Sequence, residues 1–124
     1  MRIDNFYFVV SNIEKSIEFY SKLFGKEPSN VVANRWADWG NENNQVYFGI
    51  ISVDATGCEL IKGNNGVLGL YVNNIEEALD LCKSIDANIL YKVEEIPNSI
   101  DNYKCFAIED LDGNKIEISC YDKK

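Results

Sequence analysis

The residues of this chain that are suited to acid–base, nucleophilic or metal chemistry are not spaced as a catalytic motif. The 124 residues include no histidine, which excludes the ordinary Ser/His/Asp and Cys/His arrangements. No P-loop or G-x-G-x-x-G sequence is present. The segment Asp110-x-Asp112-Gly113 is typical of a tight turn. It is not a calcium-binding loop, because such a loop needs more carboxylates at fixed spacing. Many carboxylates remain as candidates for acid–base work, but their spacing does not single out a pair.

The cysteines are the next candidates, and their spacing argues against a metal or disulfide role. The four of them lie at positions 58, 82, 105 and 120, without a C-x-x-C pair. Widely separated single cysteines favour free thiols in a reducing compartment. The N-terminal segment "MRIDNFYFVV" runs directly into polar "SNIEKS" and lacks a small-residue cleavage site, so we do not predict a signal peptide. We therefore expect a cytoplasmic protein.

Charge and hydropathy exclude two classes of partner. The formal net charge is −8, from 12 basic and 20 acidic residues. An acidic chain is not expected to bind nucleic acid or anionic membranes, because binding to either depends on basic residues at the protein surface. No apolar run approaches the length of about 18 residues that a membrane span requires. The charge is compatible with a polar or cationic small molecule.

The elements that position these residues follow from an internal repeat. The phrase "VSNIEKSIEFY" at 10–20 recurs as "VNNIEEALDLC" at 72–82, an offset of half the chain. Each phrase follows an apolar run that predicts a strand and has the three- and four-residue spacing of a helix. Three predicted strands complete each half: "NVVAN", "RWADWG" and "VYFGIIS", then "NILYKV", "YKCFAIED" and "KIEISC". We predict one α+β domain, 1–124, made of two βαβββ modules at about 1–62 and 63–124, with the helices outside.

Period two along the strands separates an apolar face from a mixed one. The apolar sets should pack under the helices: Phe6, Phe8 and Val10; Val46, Phe48 and Ile50; Leu68, Leu70 and Val72; Ile116, Ile118 and Cys120. The opposite faces combine polar and aromatic residues, and curved mixed sheets could wrap them around a cleft. Gly49 and Gly69 would leave room for a guest there. Trp36 and Trp39 are three apart, so they point to opposite faces, one toward the core and one toward the cleft.

Two copies of βαβββ, with "NIEKSIEFYSKLFG" after the first strand and "DLDGNKIEI" near the end, resemble the vicinal oxygen chelate superfamily. This superfamily holds glyoxalase I, extradiol dioxygenases, fosfomycin-resistance enzymes and bleomycin-resistance proteins. The resemblance covers the whole chain and implies the scaffold rather than one activity. It also implies a homodimer, which is common in relatives of this fold.

The resemblance implies metal-ligand positions on the first and last strand of each module. These are Asn5, Tyr47, Val67 and Glu117, where the family usually has His and Glu. Only Glu117 keeps the family's residue type, and one carboxylate does not hold a catalytic zinc or a two-His-one-carboxylate iron. We therefore predict no metal and no cofactor. Glu117 is then either a hydrogen-bonded structural carboxylate or an anionic anchor for a ligand's amine or guanidinium.

These observations lead to a functional hypothesis. We expect a metal-independent protein resembling the bleomycin-resistance branch, which sequesters an antibiotic-like or aromatic ligand, planar and neutral to cationic. The alternatives are a glyoxalase- or dioxygenase-like enzyme with an atypical active site, and a module whose cleft serves a protein partner. The expected ligand-binding residues are Asn5, Tyr7, Trp36, Trp39, Tyr47, Tyr71, Glu117 and Tyr121.

Overall fold

The structure is a computed structural model that describes residues 5–40, 46–56, 66–95 and 102–122. The chain divides into two compact units, Met1–Ile61 and Lys62–Lys124. In the first unit the elements are β1 (Asn5–Val10), α1 (Ile13–Phe24), β2 (Asn30–Val32), β3 (Trp36–Gly40), β4 (Tyr47–Ser52) and α2 (Val53–Thr56). Its sheet has the order β1-β4-β3-β2, in which β1 and β4 are parallel and the other pairs antiparallel.

The second unit repeats this plan. Its elements are β5 (Val67–Tyr71), α3 (Ile75–Ser84), β6 (Asn88–Glu95), β7 (Lys104–Glu109) and β8 (Lys115–Cys120). The strand order β5-β8-β7-β6 again pairs the first and last strands in parallel. The predicted α+β class and both βαβββ modules are confirmed. The short helix α2 was not predicted. The apolar segment "CELI" at 58–61 could by its sequence extend or follow the last strand of the first module, and it lies outside the described residues.

The helices α1 and α3 begin in the same way, which explains why the segments 10–20 and 72–82 have similar sequences. The side-chain oxygen of Asn12 accepts a hydrogen bond from the Lys15 amide, and that of Asn74 accepts one from the Glu77 amide. Each asparagine thereby satisfies a backbone donor that the first helical turn leaves unpaired. Glycine is the usual residue just past a helix end, and Gly25 ends α1 in this way, in the left-handed conformation with φ 70°.

The three- and four-residue spacing of Ile13, Ile17, Tyr20 and Phe24 predicts one buried face of α1, and the observed face is rotated from it. Ile13 and Tyr20 are buried as expected, but Ser16, Phe19 and Leu23 complete the buried set, whereas Ile17 is only half-buried. Ser16 is small and 2% exposed, so the helix can approach the sheet closely at that point. Tyr20 and Phe24 join an aromatic cluster with Trp39 and Phe48 on the covered face of the sheet.

The core of the second unit follows the predicted alternation in part, since Ile116 and Ile118 are buried whereas Leu68, Leu70, Val72 and Cys120 are only half-buried. Phe106, Ile108, Ile116 and Ile118 are buried on one face of the sheet, together with Cys82 and Ile75 of α3. The predicted turn between β7 and β8 is also confirmed. Asp110 Oδ1 accepts hydrogen bonds from the amides of Asp112 and Asn114, so this carboxylate serves the turn. Within the described residues, no helix is long and apolar enough to cross a membrane.

We call the sheet face opposite the helix in each unit its polar face, carried by Asn5, Tyr7, Trp36, Asp38, Tyr47 and Gly49 in the first unit and by Gly69, Tyr71, Tyr91, Cys105 and Glu117 in the second. The expectation that Gly49 leaves room for a guest is wrong. The Trp36 ring occupies that space, and an added Cβ at Gly49 would overlap it. Gly69 has no atom of the described residues within 4 Å of an added Cβ, so these residues leave open space at this position.

This contrast predicts opposite outcomes for two glycine substitutions. Gly49→Ala should displace the Trp36 ring and lower the free energy of unfolding by about 1–3 kcal/mol, as overpacking does. Gly69→Ala is the matched control. It should leave stability unchanged or raise it by about 0.4–1 kcal/mol, because alanine restricts the unfolded chain. Denaturant unfolding followed by tryptophan fluorescence measures both, and equal costs would contradict the placement of Trp36.

Candidate functional site

The polar face of the first unit contains a pocket of about 370 Å³, which we call the Asp38 pocket. Its lining residues come from all four strands of the sheet: Asn5, Asn30, Trp36, Asp38 and Tyr47. Two glycines shape its walls, since the Trp36 ring lies over Gly49 and the Tyr47 ring lies over Gly40. The volume is within the range of about 300–1,000 Å³ that is typical of small-molecule sites.

Asp38 is the charged residue of this pocket. It is 9% exposed, and each carboxylate oxygen accepts one hydrogen bond. The Trp36 indole nitrogen donates to Oδ2 at 2.8 Å, and the Asn30 side-chain amide donates to Oδ1 at 2.9 Å. Both donors are neutral, so they orient the carboxylate without cancelling its charge. In the described part of the chain, no lysine or arginine forms an ion pair with Asp38.

The structure separates the two tryptophans. Trp36 is half-buried on the polar face, where its ring meets Tyr7 edge-on at a centroid distance of 5.5 Å. Trp39 is 3% exposed and packs under α1, and its indole nitrogen donates to the Lys26 carbonyl at 3.1 Å. We therefore retain Trp36 as a candidate ligand-binding residue and leave Trp39 in the core. Of the other candidates in this unit, Asn5 and Tyr47 line the pocket, and Tyr7 borders it through Trp36.

The polar face of the second unit has its own carboxylate. Glu117 is half-buried on β8, and its Oε1 accepts a hydrogen bond from the Tyr103 hydroxyl at 2.7 Å. Glu117 lies opposite Gly69 in the β5–β8 register, beside the open space at that glycine. This carboxylate therefore has a structural partner on one side and free volume on the other. Both alternatives for Glu117, structural group and ligand anchor, are compatible with this geometry.

Three tyrosines extend from Glu117 along this face. Tyr103 stacks on Tyr121 with ring centroids 5.7 Å apart and planes within 11°. Tyr71 meets Tyr121 edge-on at 5.0 Å, and its hydroxyl donates to the Tyr121 carbonyl at 3.4 Å. The expected residues Tyr71, Glu117 and Tyr121 thus belong to one cluster, which Tyr103 connects.

Electrostatics on this face favour protonated neighbours around Glu117. Burial, assisted by the nearby Cys105 and Glu117, raises the pKa of Tyr91 to about 12. The hydrogen bond to Glu117 is the main reason that the pKa of Tyr103 is raised, and burial raises the pKa of Cys105.

Burial also raises the pKa of Cys82, which α3 places in the core, to about 11. Thiols with raised pKa values are poor nucleophiles at neutral pH, so Cys82 and Cys105 are not activated.

The residues at the family's metal-ligand positions do not fit a catalytic metal. Val67 offers no donor atom, Asn5 and Tyr47 offer neutral oxygens, and Glu117 is the single carboxylate. The strand register also corrects the predicted match between Tyr47 and Glu117. Asn5 faces Tyr47 whereas Val67 faces Lys115, so Gly49 is the residue of the first unit that corresponds to Glu117. Among the described residues, no group of three or more His, Cys, Asp or Glu could hold a metal ion.

Sequence reasoning missed Asp38 and Tyr103. In "RWADWG", period two already places Asp38 on the face of Trp36, so alternation alone could have identified it. Tyr103 precedes β7, and no periodic pattern indicates that its hydroxyl reaches Glu117.

Comparison with known proteins agrees with this scaffold. A curated relative, the trivalent organoarsenical cleaving enzyme of Bacillus sp. (strain MD1), is 34% identical over an alignment of 116 residues, and the alignment covers 87% of this chain and 66% of the relative. This chain thus spans slightly less than two thirds of that enzyme's length.

Solved structures show the same fold at low identity. A glyoxalase-related enzyme from Fulvimarina pelagi aligns with a TM-score of 0.78 at 16% identity, covering 97% of this chain and 88% of that one. A glyoxalase/bleomycin resistance protein from Catenulispora acidiphila DSM 44928 aligns with a TM-score of 0.73 at 17% identity, covering 98% and 100%. The family's sequence profile matches residues 2–118. The chain belongs to the Glyoxalase/Bleomycin resistance protein/Dioxygenase superfamily.

Proposed function

We propose that this protein is a cytoplasmic, metal-independent binding protein for a planar or aromatic small molecule that is neutral to cationic, such as an antibiotic-like compound. The observation that carries the proposal is the aromatic character of both polar faces, each of which includes a carboxylate held by neutral donors, Asp38 in the first unit and Glu117 in the second. Aromatic walls suit planar guests, because ring pairs contribute about 0.5–1.5 kcal/mol beyond the area they bury.

Glu117 is the proposed anionic anchor in the second unit. Its bond to the Tyr103 hydroxyl uses one acceptor position, and a carboxylate offers about four. The open space at Gly69 gives a guest access to the same side of the sheet. Tyr71 and Tyr121 supply ring faces nearby. An amine or guanidinium could therefore donate to Glu117 while its aromatic part contacts a tyrosine.

The same geometry supplies a charge-selective test. Glu117→Gln should weaken a cationic guest by about 1.5–3 kcal/mol, the usual range for a hydrogen bond to a charged group, and leave a neutral analogue nearly unaffected. Candidate guests come from a thermal-shift screen of cationic aromatic compounds, including glycopeptide-like antibiotics, followed by fluorescence titration. Glu27→Gln, an exposed glutamate of the first unit, is the matched control for the change in net charge. Anionic guests that bind and lose nothing in Glu117→Gln would contradict the role of Glu117.

An enzymatic function is the second candidate, and the relative from Bacillus sp. favours it. That relative is an organoarsenical cleaving enzyme, and trivalent arsenic, as a soft ion, prefers thiolate ligands. Of the described cysteines, Cys82 and Cys105 are buried with raised pKa values, which leaves Cys120 as the more accessible thiol. The buried thiols are poor nucleophiles, and the residues that the resemblance implies as metal ligands offer few donor atoms. Both observations favour a binding protein over an enzyme.

Metal analysis of the purified protein separates the two candidates. We expect no stoichiometric zinc, iron, nickel or manganese, because Val67 provides no ligand and Glu117 provides the single carboxylate of the set. Elemental analysis after purification without chelators, and again after incubation with each metal, measures the content. Tight binding near one ion per chain that Glu117→Gln abolishes would refute the metal-independent proposal.

We also propose that the protein is a homodimer, as relatives of this fold commonly are. A net charge of −8 does not prevent association, provided that the interface is apolar. Light scattering at cellular concentrations should give the mass of two chains. The mass of one chain, 14.1 kDa, would contradict the proposal.

A further inference from the structure

The Asp38 pocket holds a carboxylate whose charge the described residues leave uncompensated. Asp38 is 9% exposed, yet both of its hydrogen-bond donors are neutral, an indole and an amide. A buried carboxylate usually has a cationic partner, because removing a charge from water is costly. Lys26 donates its ammonium to the Gly40 carbonyl at 3.2 Å, and within the described residues it forms no ion pair with Asp38.

The carboxylate is oriented and retains capacity for a further donor. Trp36 and Asn30 each occupy one acceptor position, on different oxygens, whereas an ionised carboxylate has about four. The Asp38 backbone carbonyl accepts a hydrogen bond from the Ser29 amide at 2.7 Å, which fixes the main chain beneath the side chain. Asp38 is therefore held in place by its surroundings before any ligand arrives.

The walls favour an organic cation over a metal ion. Trp36 and Tyr47 present aromatic rings beside the carboxylate, and a cation near such a ring gains about 0.5–2 kcal/mol. A divalent metal would instead need several oxygen or nitrogen ligands in a fixed geometry, and among the described residues of the lining Asp38 alone is charged. An ammonium or amidinium group attached to a planar body matches both the charge and the rings.

We propose that the Asp38 pocket is a subsite for an organic cation, an ammonium or amidinium on a small aromatic ligand, with Asp38 as its counter-ion. The inference deepens the proposed binding function and rests on it, but it places a cation-recognising group in the first unit, independent of Glu117. Tyr47 and Trp36 enclose the planar part, and the amides of Asn5 and Asn30 complete the polar lining.

The two tryptophans allow ligand binding in the Asp38 pocket to be detected directly. Trp36 donates its indole N–H to Asp38, and Trp39 donates its own to the Lys26 carbonyl in the core. A two-dimensional NMR spectrum of the ¹⁵N-labelled protein therefore contains one indole signal at the pocket and one internal control. Benzamidine serves as the cationic probe, and benzamide is its neutral counterpart of nearly the same shape. Substitution of each tryptophan by phenylalanine assigns the signals.

Benzamidine should shift the Trp36 indole signal saturably, with little change at Trp39, and benzamide should bind at least tenfold more weakly. Asp38→Asn should reduce benzamidine affinity at least tenfold and remove the preference for the cation. Asp54→Asn, an exposed aspartate of the same unit, controls for net charge and should bind as the wild type does. If Asp38→Asn does not fold, the comparison of benzamidine with benzamide on the wild type still tests whether the Asp38 pocket prefers a cation.

Two results would overturn the subsite. They are an unmoved Trp36 signal at saturating benzamidine, or equal affinity for benzamidine in wild type and Asp38→Asn. Its failure is distinguishable from that of the proposed function. A cationic guest that loses affinity in Glu117→Gln while benzamidine leaves Trp36 unmoved would refute the subsite alone. A shift at Trp36, with no guest affected by Glu117→Gln, would refute the role of Glu117 alone.

Discussion

The parallel pairing of the first and last strand in each unit is the constraint on which the rest of the structure depends. Parallel neighbours cannot be joined by a tight turn, so the chain must cross over the sheet between them. Here the helix after the first strand makes that crossing to the strand at the opposite edge, β2 or β6, and two antiparallel pairings lead back to the last strand. The helix covers one face and buries its apolar side chains. The same connection needs a helix that begins directly after a strand, and Asn12 and Asn74 provide its cap. The opposite face is left for polar and aromatic side chains.

The two units keep this scaffold but differ in what their polar faces carry. Glu117 of the last strand corresponds by register to Gly49, and the Trp36 ring fills the space that Gly49 provides. The carboxylate of the first unit therefore stands one strand further along the sheet, at Asp38. Each carboxylate is held by neutral donors, an indole and an amide at Asp38 and a phenol at Glu117. Neutral donors fix the direction of a charge while preserving it, which suits a group that awaits a cationic ligand.

Local patterns were enough to predict the strands and the two long helices, whereas the four-residue helix α2 was not predicted. The change from period two to helical spacing, the asparagine caps and the Asp-Gly turn each indicate a structure within a few residues. Side-chain placement on the faces was harder to predict. The predicted buried face of α1 was wrong because Ser16, a small polar residue, is buried against the sheet while Ile17 is not. The roles of the two tryptophans, and the bond from Tyr103 to Glu117, depend on contacts between strands that one sequence does not encode as a period.

Binding of a small molecule by these polar faces can be tested without choosing a ligand in advance. The measurement is untargeted mass spectrometry of small molecules that co-purify with the wild type and with the double variant Asp38→Asn/Glu117→Gln. We predict that the wild type enriches a planar, neutral-to-cationic compound and that a cationic one is lost from the double variant. Enrichment of an anionic compound, or of the same cationic compounds by both proteins, would contradict this account.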